Sequence, residues 1–312
     1  LENNLDTYRF HQINREKNSL KIDYVQELVN AETEEYLVNY ILNLLVVFCQ
    51  RISFPLSKID KKLSLAIEKS KKPVGDAGSI WDLLIEIMSI INREYEAIDG
   101  IKSKKYKCNS EKDSKMIYLY KEKSIQEENM ISKKLTILES LRILLDELSP
   151  EVLHHSRRMR SMVTQIGKSF NLSGLSLKKL IFTAELHDLG KIGVEEAILR
   201  KSQSLTIGDW QRLKKHPVYG YYLAKRITMI PGVAEGVLLH HERWDGKGYP
   251  MGLKGDEIPF EARMITIIDA YDAMVYERGY KKILSPDQAK DELRRCAGTQ
   301  FDPILIQKFL SI

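Results

Sequence analysis

The stretch LKKLIFTAELHD, residues 177–188, ends an apolar helical stripe on an imidazole and a carboxylate. Leu180, Ile181 and Ala184 precede His187 at helical spacing, so the ring shares their buried face. Burying such a pair costs several kcal/mol unless each group is paired or holds a metal ion. The same demand recurs at Asp269, which follows Ile265 and Ile268 on a second apolar stripe. Any fold open to this chain must bring partners to those two points.

Start and stop signals beyond Ser149 are all helical. Ser149-Pro150 predicts an N-cap and a first-turn proline, opening a helix through HHSRRMRSMVTQIGKSF. Ser176 is expected to cap the next helix, which stops at Gly190. Thr206 and Asp209 form a capping-box pattern ahead of WQRLKKH, and Pro217 is expected to break that helix after His216. Pro231 opens GVAEGVLLHH, and Glu261 to Glu277 reads as the last long helix. No strand pattern interrupts this half, so residues 149–312 are expected to form an all-α bundle.

The N-terminal half reads differently. TYRFHQI and LKIDYVQEL flank a polar turn and suggest a hairpin, and MIYLY suggests a further strand. ETEEYLVNYILNLLVVFCQRI and SIWDLLIEIMSIINREYEAI have helical periodicity. Residues 1–125 are therefore expected to form an α+β sensor-like domain without a cluster of catalytic residue types. Residues 126–148 carry Ile131, Leu135, Ile137, Leu138, Leu141 and Leu145 near heptad spacing. This linker helix either pairs with its copy in a homodimer or packs on its own domain.

Charge and cysteine content narrow the class. A net charge of +5 spread over 312 residues does not announce a nucleic-acid binder, but suits a local site for a small anion. Cys49, Cys108 and Cys296 form no CxxC motif, which points to the reducing cytoplasm. Leu37 to Cys49 is the most apolar run and falls short of the ~20 residues a spanning helix needs. Neither a membrane span nor a signal peptide is expected.

Five segments then deliver metal-type donors. They are Glu151 with His155; His187-Asp188, followed by Lys191; His216; His240-His241; and Asp269 with Asp272. Taken singly, His155 is an ordinary helix residue, His216 a helix-end residue, and Glu151 a favourable first-turn charge. His154 points about 100° away from His155, to the surface. Together they make a mixed His/Asp/Glu set without thiolate, which suits iron, manganese or zinc acting as a catalyst.

The HD dipeptide at 187–188, with Lys191, an upstream His155 and a downstream Asp269, resembles the HD phosphohydrolase superfamily. HDLGKIG, HHERWDGKGYP and ARMITIIDAYDAM narrow the resemblance to the HD-GYP family of cyclic di-GMP phosphodiesterases, over residues of about 150–312. That resemblance implies metal ligands at His155, His187, Asp188, His216, His240, His241 and Asp269, with Asp188 bridging two ions. Some members add a carboxylate at the position of Glu151 for a third ion. Two or three divalent metals are thus implied, iron ahead of manganese.

The resemblance also implies catalytic roles for Asp188 and Lys191, and hydrolysis to linear pGpG and on to GMP. Substrate contacts would come from Lys191, Tyr249, Asp272, Arg278 and Lys281, with Tyr280 beside them; Asp272 would hold either a guanine edge or a water beside the metal ligands. Gly279 departs from the proline usual in the family, which bears on the rigidity of that loop. Asp245, Gly246, Gly248, Tyr249 and Pro250 would line the pocket mouth, where Tyr249 offers a flat face to a guanine. In related proteins this loop docks a diguanylate cyclase (GGDEF) domain, and a GAF-like sensor is a common N-terminal companion. The alternatives are a cyclic di-GMP sensor and an HD hydrolase of another nucleotide.

Overall fold

The computed structural model describes residues 31–51, 56–70, most of 83–91, positions 138, 141, 142 and 145, and 149–311 apart from 202–203 and 277–282. Two compact units divide the described residues at Leu144/Leu145.

In the first unit, α1 (Ala31–Arg51) and α2 (Asp60–Ser70) are joined through a short 3-10 turn at Leu56–Lys58 and pack together. Leu37, Ile41 and Leu45, at i, i+4 and i+8, are buried on α1, as the periodicity predicted. The described positions of 83–91 are helical too. Every described element here is a helix or a 3-10 turn. The expected hairpin and the MIYLY strand lie outside the described residues, so α+β character has no support among those described. No helix of the described residues is long and apolar enough to cross a membrane.

Among the described residues every helix or strand element of the second unit is helical: α3 (Pro150–Ser169), α4 (Gly174–Leu186), α5 (Glu196–Leu199), α6 (Ile207–Leu213), α7 (His216–Ile227), α8 (Val233–Leu239), α9 (Phe260–Val275), α10 (Pro286–Arg295) and α11 (Pro303–Phe309). A 3-10 turn at Leu189–Gly193 follows α4, and another at Gly255–Glu257 precedes α9. α9 is the axis, packed against α3, α4, α8, α10 and α11. Ile265 and Ile268 of α9 are fully buried with Met159 and Val163 of α3 and Leu180 and Ala184 of α4. Each buried side chain of that size contributes about 1.5–3 kcal/mol, which holds the helices that carry the polar end groups.

Helix boundaries follow the sequence signals in part. The Thr206/Asp209 capping box is present, with both reciprocal bonds. Ser149 stands at the N-cap of α3 but its side chain makes no cap bond. α4 begins at Gly174, ahead of Ser176, because Asn171 reverses the chain in a left-handed turn (φ 56°). It also ends at Leu186; His187 and Asp188 make a turn, and Leu189 and Gly190 belong to the 3-10 turn that follows. Pro217 does not end a helix; it opens α7, where its missing N–H would have had no partner. α8 starts two residues beyond Pro231, on Gly232 at φ 83°.

Two glycines bring the next pieces together. A Cβ on Gly190 would lie 1.9 Å from the His216 carbonyl and 2.3 Å from the Gly220 nitrogen. The 3-10 turn after Asp188 therefore lies directly on the first turns of α7, and only glycine permits it.

Candidate metal centre

Each donor reaches the centre for a local reason. His187 is the C-cap of α4, and Asp188 turns out of the helix beside it. His216 opens α7, while His240 caps α8 and His241 follows. His155 comes from α3, Asp269 and Asp272 from α9. His155, His187, Asp188, His216 and His240 are all buried, with His187 at 0% exposure.

The donors gather into two groups. His155, His187 and Asp188 form one and His216, His240 and His241 the other, each with ligand atoms within 4.8 Å of one another. Asp188 faces both: Oδ2 lies 3.5 Å from His187 Nε2, and Oδ1 lies 3.5 Å from His216 Nε2. Asp269 Oδ1 lies 3.2 Å from His155 Nε2.

Hydrogen bonds decide which ring nitrogen is available. Nδ1–H of His187 donates to the Ala184 carbonyl (2.8 Å), that of His216 to Leu213 (2.7 Å) and that of His240 to Val237 (2.6 Å). A carbonyl can only accept, so Nδ1 must carry the proton. Burial lowers the pKa of His216 to about 3 and of His240 to about 4, so both rings are neutral at pH 7 and Nε2 is bare. Burial likewise lowers His187, and burial with the neighbouring imidazoles holds His241 well below its usual range.

The consequence is electrostatic. Nε2 of His216 and Nε2 of His240 face each other at 3.3 Å, lone pair to lone pair. Two neutral acceptors at that distance repel unless a cation takes both. This donor set therefore fits a divalent metal of the imidazole- and carboxylate-loving kind, held with its ring orientations fixed by backbone carbonyls.

Charge is compensated on the other group. Burial alone would raise the pKa of Asp188, but Lys191 and the His187 and His216 rings outweigh it and hold it well below the carboxylate range. Lys191 Nζ donates to Asp188 Oδ2 at 2.7 Å. Burial opposes charge on His155, yet its bonds to Asp269 and Asp272 win and raise its pKa.

Asp272, expected among the substrate residues, is turned elsewhere. It is fully buried, and its oxygens take Nε and Nη2 of Arg158 at 2.7 and 2.8 Å and His155 Nδ1 at 2.6 Å. A guanine edge has no access to it.

The GYP loop is tied to the same helix end. Tyr249 N–H donates to the His241 carbonyl (3.2 Å), and the Tyr249 ring stacks on the His241 ring with centroids 4.8 Å apart and planes 24° apart. Lys214 Nζ lies 5.2 Å from the Tyr249 ring centroid. Gly246 adopts φ 80°, and a Cβ on Gly248 would fall 2.5 Å from Glu242 Cα. Asp245 is forked by Arg243 (3.0 and 2.8 Å) and accepts from Lys247 N–H, so it shapes the loop. Pro250 is exposed at the loop's edge.

Three contributors escaped the sequence reading. Glu242 is buried and accepts N–H bonds from Met251, Gly252 and Leu253 (2.6, 3.1 and 3.0 Å), stapling the loop to the His240-His241 turn. Nothing in its one-dimensional context marks it as buried. Thr266 Oγ1 donates to the His240 carbonyl at 2.7 Å. Arg158 was legible in principle, one turn beyond His155 on the same helix face. The Glu151 side chain and residues Arg278, Tyr280 and Lys281 lie outside the described residues.

A helical bundle with facing His and Asp ends on one buried centre is the arrangement that the HD dipeptide suggested. Residues 139–305, more than half the chain, match the HD domain family, and the chain belongs to it. Its HHERWDGKGYP segment is the stretch that carries the resemblance to the HD-GYP family. Similar proteins include a "Cyclic di-GMP phosphodiesterase" of Thermotoga maritima, 34% identical over 56% of this chain and 48% of that protein. A "Probable cyclic di-GMP phosphodiesterase" of Vibrio cholerae is 38% identical over 41% of this chain and 31% of its own length. A "3′3′-cGAMP-specific phosphodiesterase 2" of the same organism is 31% identical over 52% and 31% respectively. The chain spans about half the length, or less, of these relatives.

Proposed function

We propose that residues 149–312 form a metal-dependent phosphodiesterase domain that hydrolyses cyclic di-GMP to linear pGpG and on to GMP. The observation that carries the reading is the His216–His240 pair, two bare buried nitrogens 3.3 Å apart beside a low-pKa carboxylate. The names of the relatives support the substrate class. Two metal ions, iron ahead of manganese, would be held by His155, His187, Asp188, His216, His240, His241 and Asp269, with Glu151 reserved for a third.

When bound, divalent ions supply Lewis acidity toward a phosphodiester and lower the pKa of a coordinated water. The chain's own residues do the rest. Burial removes competing water and strengthens every charge contact in the centre. Asp188 presents an oxygen to each histidine group, and Lys191, 2.7 Å from Asp188 Oδ2, offsets its charge and would donate to a phosphate oxygen of the substrate. Tyr249, stacked on His241, provides an aromatic edge to the mouth. Arg278, Tyr280 and Lys281 are assigned to substrate positioning. Residues 1–125 are assigned as a regulatory unit and 126–148 as a connecting helix, in a cytoplasmic protein; Leu138, Leu141 and Leu145 are buried within the single chain, which favours packing on its own domain over pairing with a copy. The GYP loop is assigned as the contact for a GGDEF domain.

Anaerobically purified protein, analysed for metal and incubated with cyclic di-GMP, tests this directly. Bound iron or manganese with pGpG or GMP appearing is the expected result. Binding without turnover would assign a sensor instead. The cGAMP-specific relative favours a second reading, turnover of 3′3′-cGAMP, and a competition between the two cyclic dinucleotides separates them.

A further inference from the structure

His155 is held unlike His187, His216 and His240. His187, His216 and His240 donate Nδ1–H to the backbone carbonyl three residues earlier, which no side-chain substitution removes. His155 instead gives its Nδ1 to a side chain on another helix, Asp272 of α9, at 2.6 Å. Its orientation therefore depends on residues that sequence change can delete.

The geometry behind that bond is a double clasp. On α3, Arg158 lies one turn beyond His155; on α9, Asp272 lies one turn beyond Asp269. The inner pair, His155 Nε2 and Asp269 Oδ1, meets at 3.2 Å in the centre. The outer pair is a two-pronged bond, Arg158 Nε to Asp272 Oδ1 at 2.7 Å and Nη2 to Oδ2 at 2.8 Å. Asp272 is 0% exposed and the Arg158 side chain 28%. A carboxylate that deep needs a charged, directional partner, and a guanidinium fork fixes its plane where an ammonium would fix only a point.

We infer that Arg158 and Asp272 are positioning residues for the metal centre: Arg158 fixes the plane of Asp272, and Asp272 fixes the His155 ring with Nε2 aimed at His187 and Asp269. The inference rests on the proposed metal centre and adds to it two residues that touch neither ion nor substrate. Arg158 also lies over the Tyr276 ring, 4.3 Å from its centroid. That contact shares the guanidinium but not the clasp, and so serves as a control.

The test uses Mn²⁺ calorimetry and the visible absorption of bound Co²⁺ on the full chain, with no substrate present. Asp272→Asn and Arg158→Gln are each expected to weaken Mn²⁺ binding by about 10- to 100-fold and to change the Co²⁺ bands. Arg158→Lys, which keeps charge without the fork, should recover part of the affinity. Tyr276→Leu should leave affinity and bands as in the wild type. Wild-type affinity and an unchanged Co²⁺ spectrum in Arg158→Gln would overturn the inference, as would equal loss in Tyr276→Leu. Circular dichroism of the metal-free variants separates lost positioning from lost folding. If Asp272→Asn fails to fold, the more exposed Arg158 carries the test with its lysine rescue. A wild-type chain that binds neither ion overturns the metal centre itself, an outcome distinct from either of these.

Discussion

The two histidine groups of the centre lie side by side and solve the same problem in opposite ways. His216, His240 and His241 are a neutral group: burial strips their protons, and backbone carbonyls orient His216 and His240. His155, His187 and Asp188 are a charged group, surrounded by Lys191, Asp269, Asp272 and Arg158. Nitrogen donors can be prepared by desolvation alone, because their useful form is the uncharged one. A carboxylate donor is useful only when charged, and burial works against it. It therefore brings cations and donors with it, and the two oxygens of Asp188 address both groups.

The sharpest way to break this contrast is Asp188→Asn. Losing the shared carboxylate should remove several kcal/mol of transition-state stabilisation, about 10³-fold in turnover, together with most bound metal. Full metal content in that variant by elemental analysis would contradict a bridging role. His240→Ala probes the neutral group: turnover should fall by at least ~100-fold, more than altering a ligand's hydrogen-bond partner costs. Metal content should drop without vanishing, since the charged group stays intact. If both variants lose metal equally, the two groups act as one site.

Gly248→Ala reports on how the mouth is joined to the neutral group. The new methyl would meet the Glu242 and Arg243 backbone at 2.4–2.5 Å, so a loss of about 1–3 kcal/mol is expected, with KM rising more than kcat falls. A thermal melt beside steady-state kinetics checks both.

The smallest effect is on pH dependence, read in metal-stripped protein. His216 and His240 titrate near 3 and 4 when folded, against an ordinary 6.5. Between those values the unfolded chain binds more protons, so stability rises with pH there. Melting temperature should fall as pH drops from 6.5 toward 3, levelling off only below that, and His240→Ala should flatten the slope. A melting temperature that rises on acidification over this window would mean the rings are not held neutral.

Much of this centre was legible before any coordinates. An imidazole at the end of an apolar stripe must be paired, and the adjacent HH before a glycine turn signalled an unusual helix end. His187, Asp188, His216, His240, His241, His155 and Asp269 do come together. Other features misled. Pro217 reads equally as a helix breaker or a helix starter, because proline's missing N–H is harmless only in a first turn. Ser176 looked like a cap, yet the chain had already reversed at Asn171. Asp272 looked available because D-x-x-D puts both carboxylates on one helix face, but only Asp269 opens into the centre.

What the sequence determined by itself was periodicity: which helices exist, which faces are apolar, and which donors stand at their ends. Those are local properties, set within one or two turns. Only the tertiary structure decided what each donor faces. Oδ1 and Oδ2 of Asp188 divide between two histidine groups because Gly190 and Gly220 let α7 approach within backbone contact. Arg158 meets Asp272 because α3 packs on α9, over a hundred residues away in the chain. Protonation and orientation in the buried centre depend on such non-local neighbours, since burial and Coulomb interactions act through space.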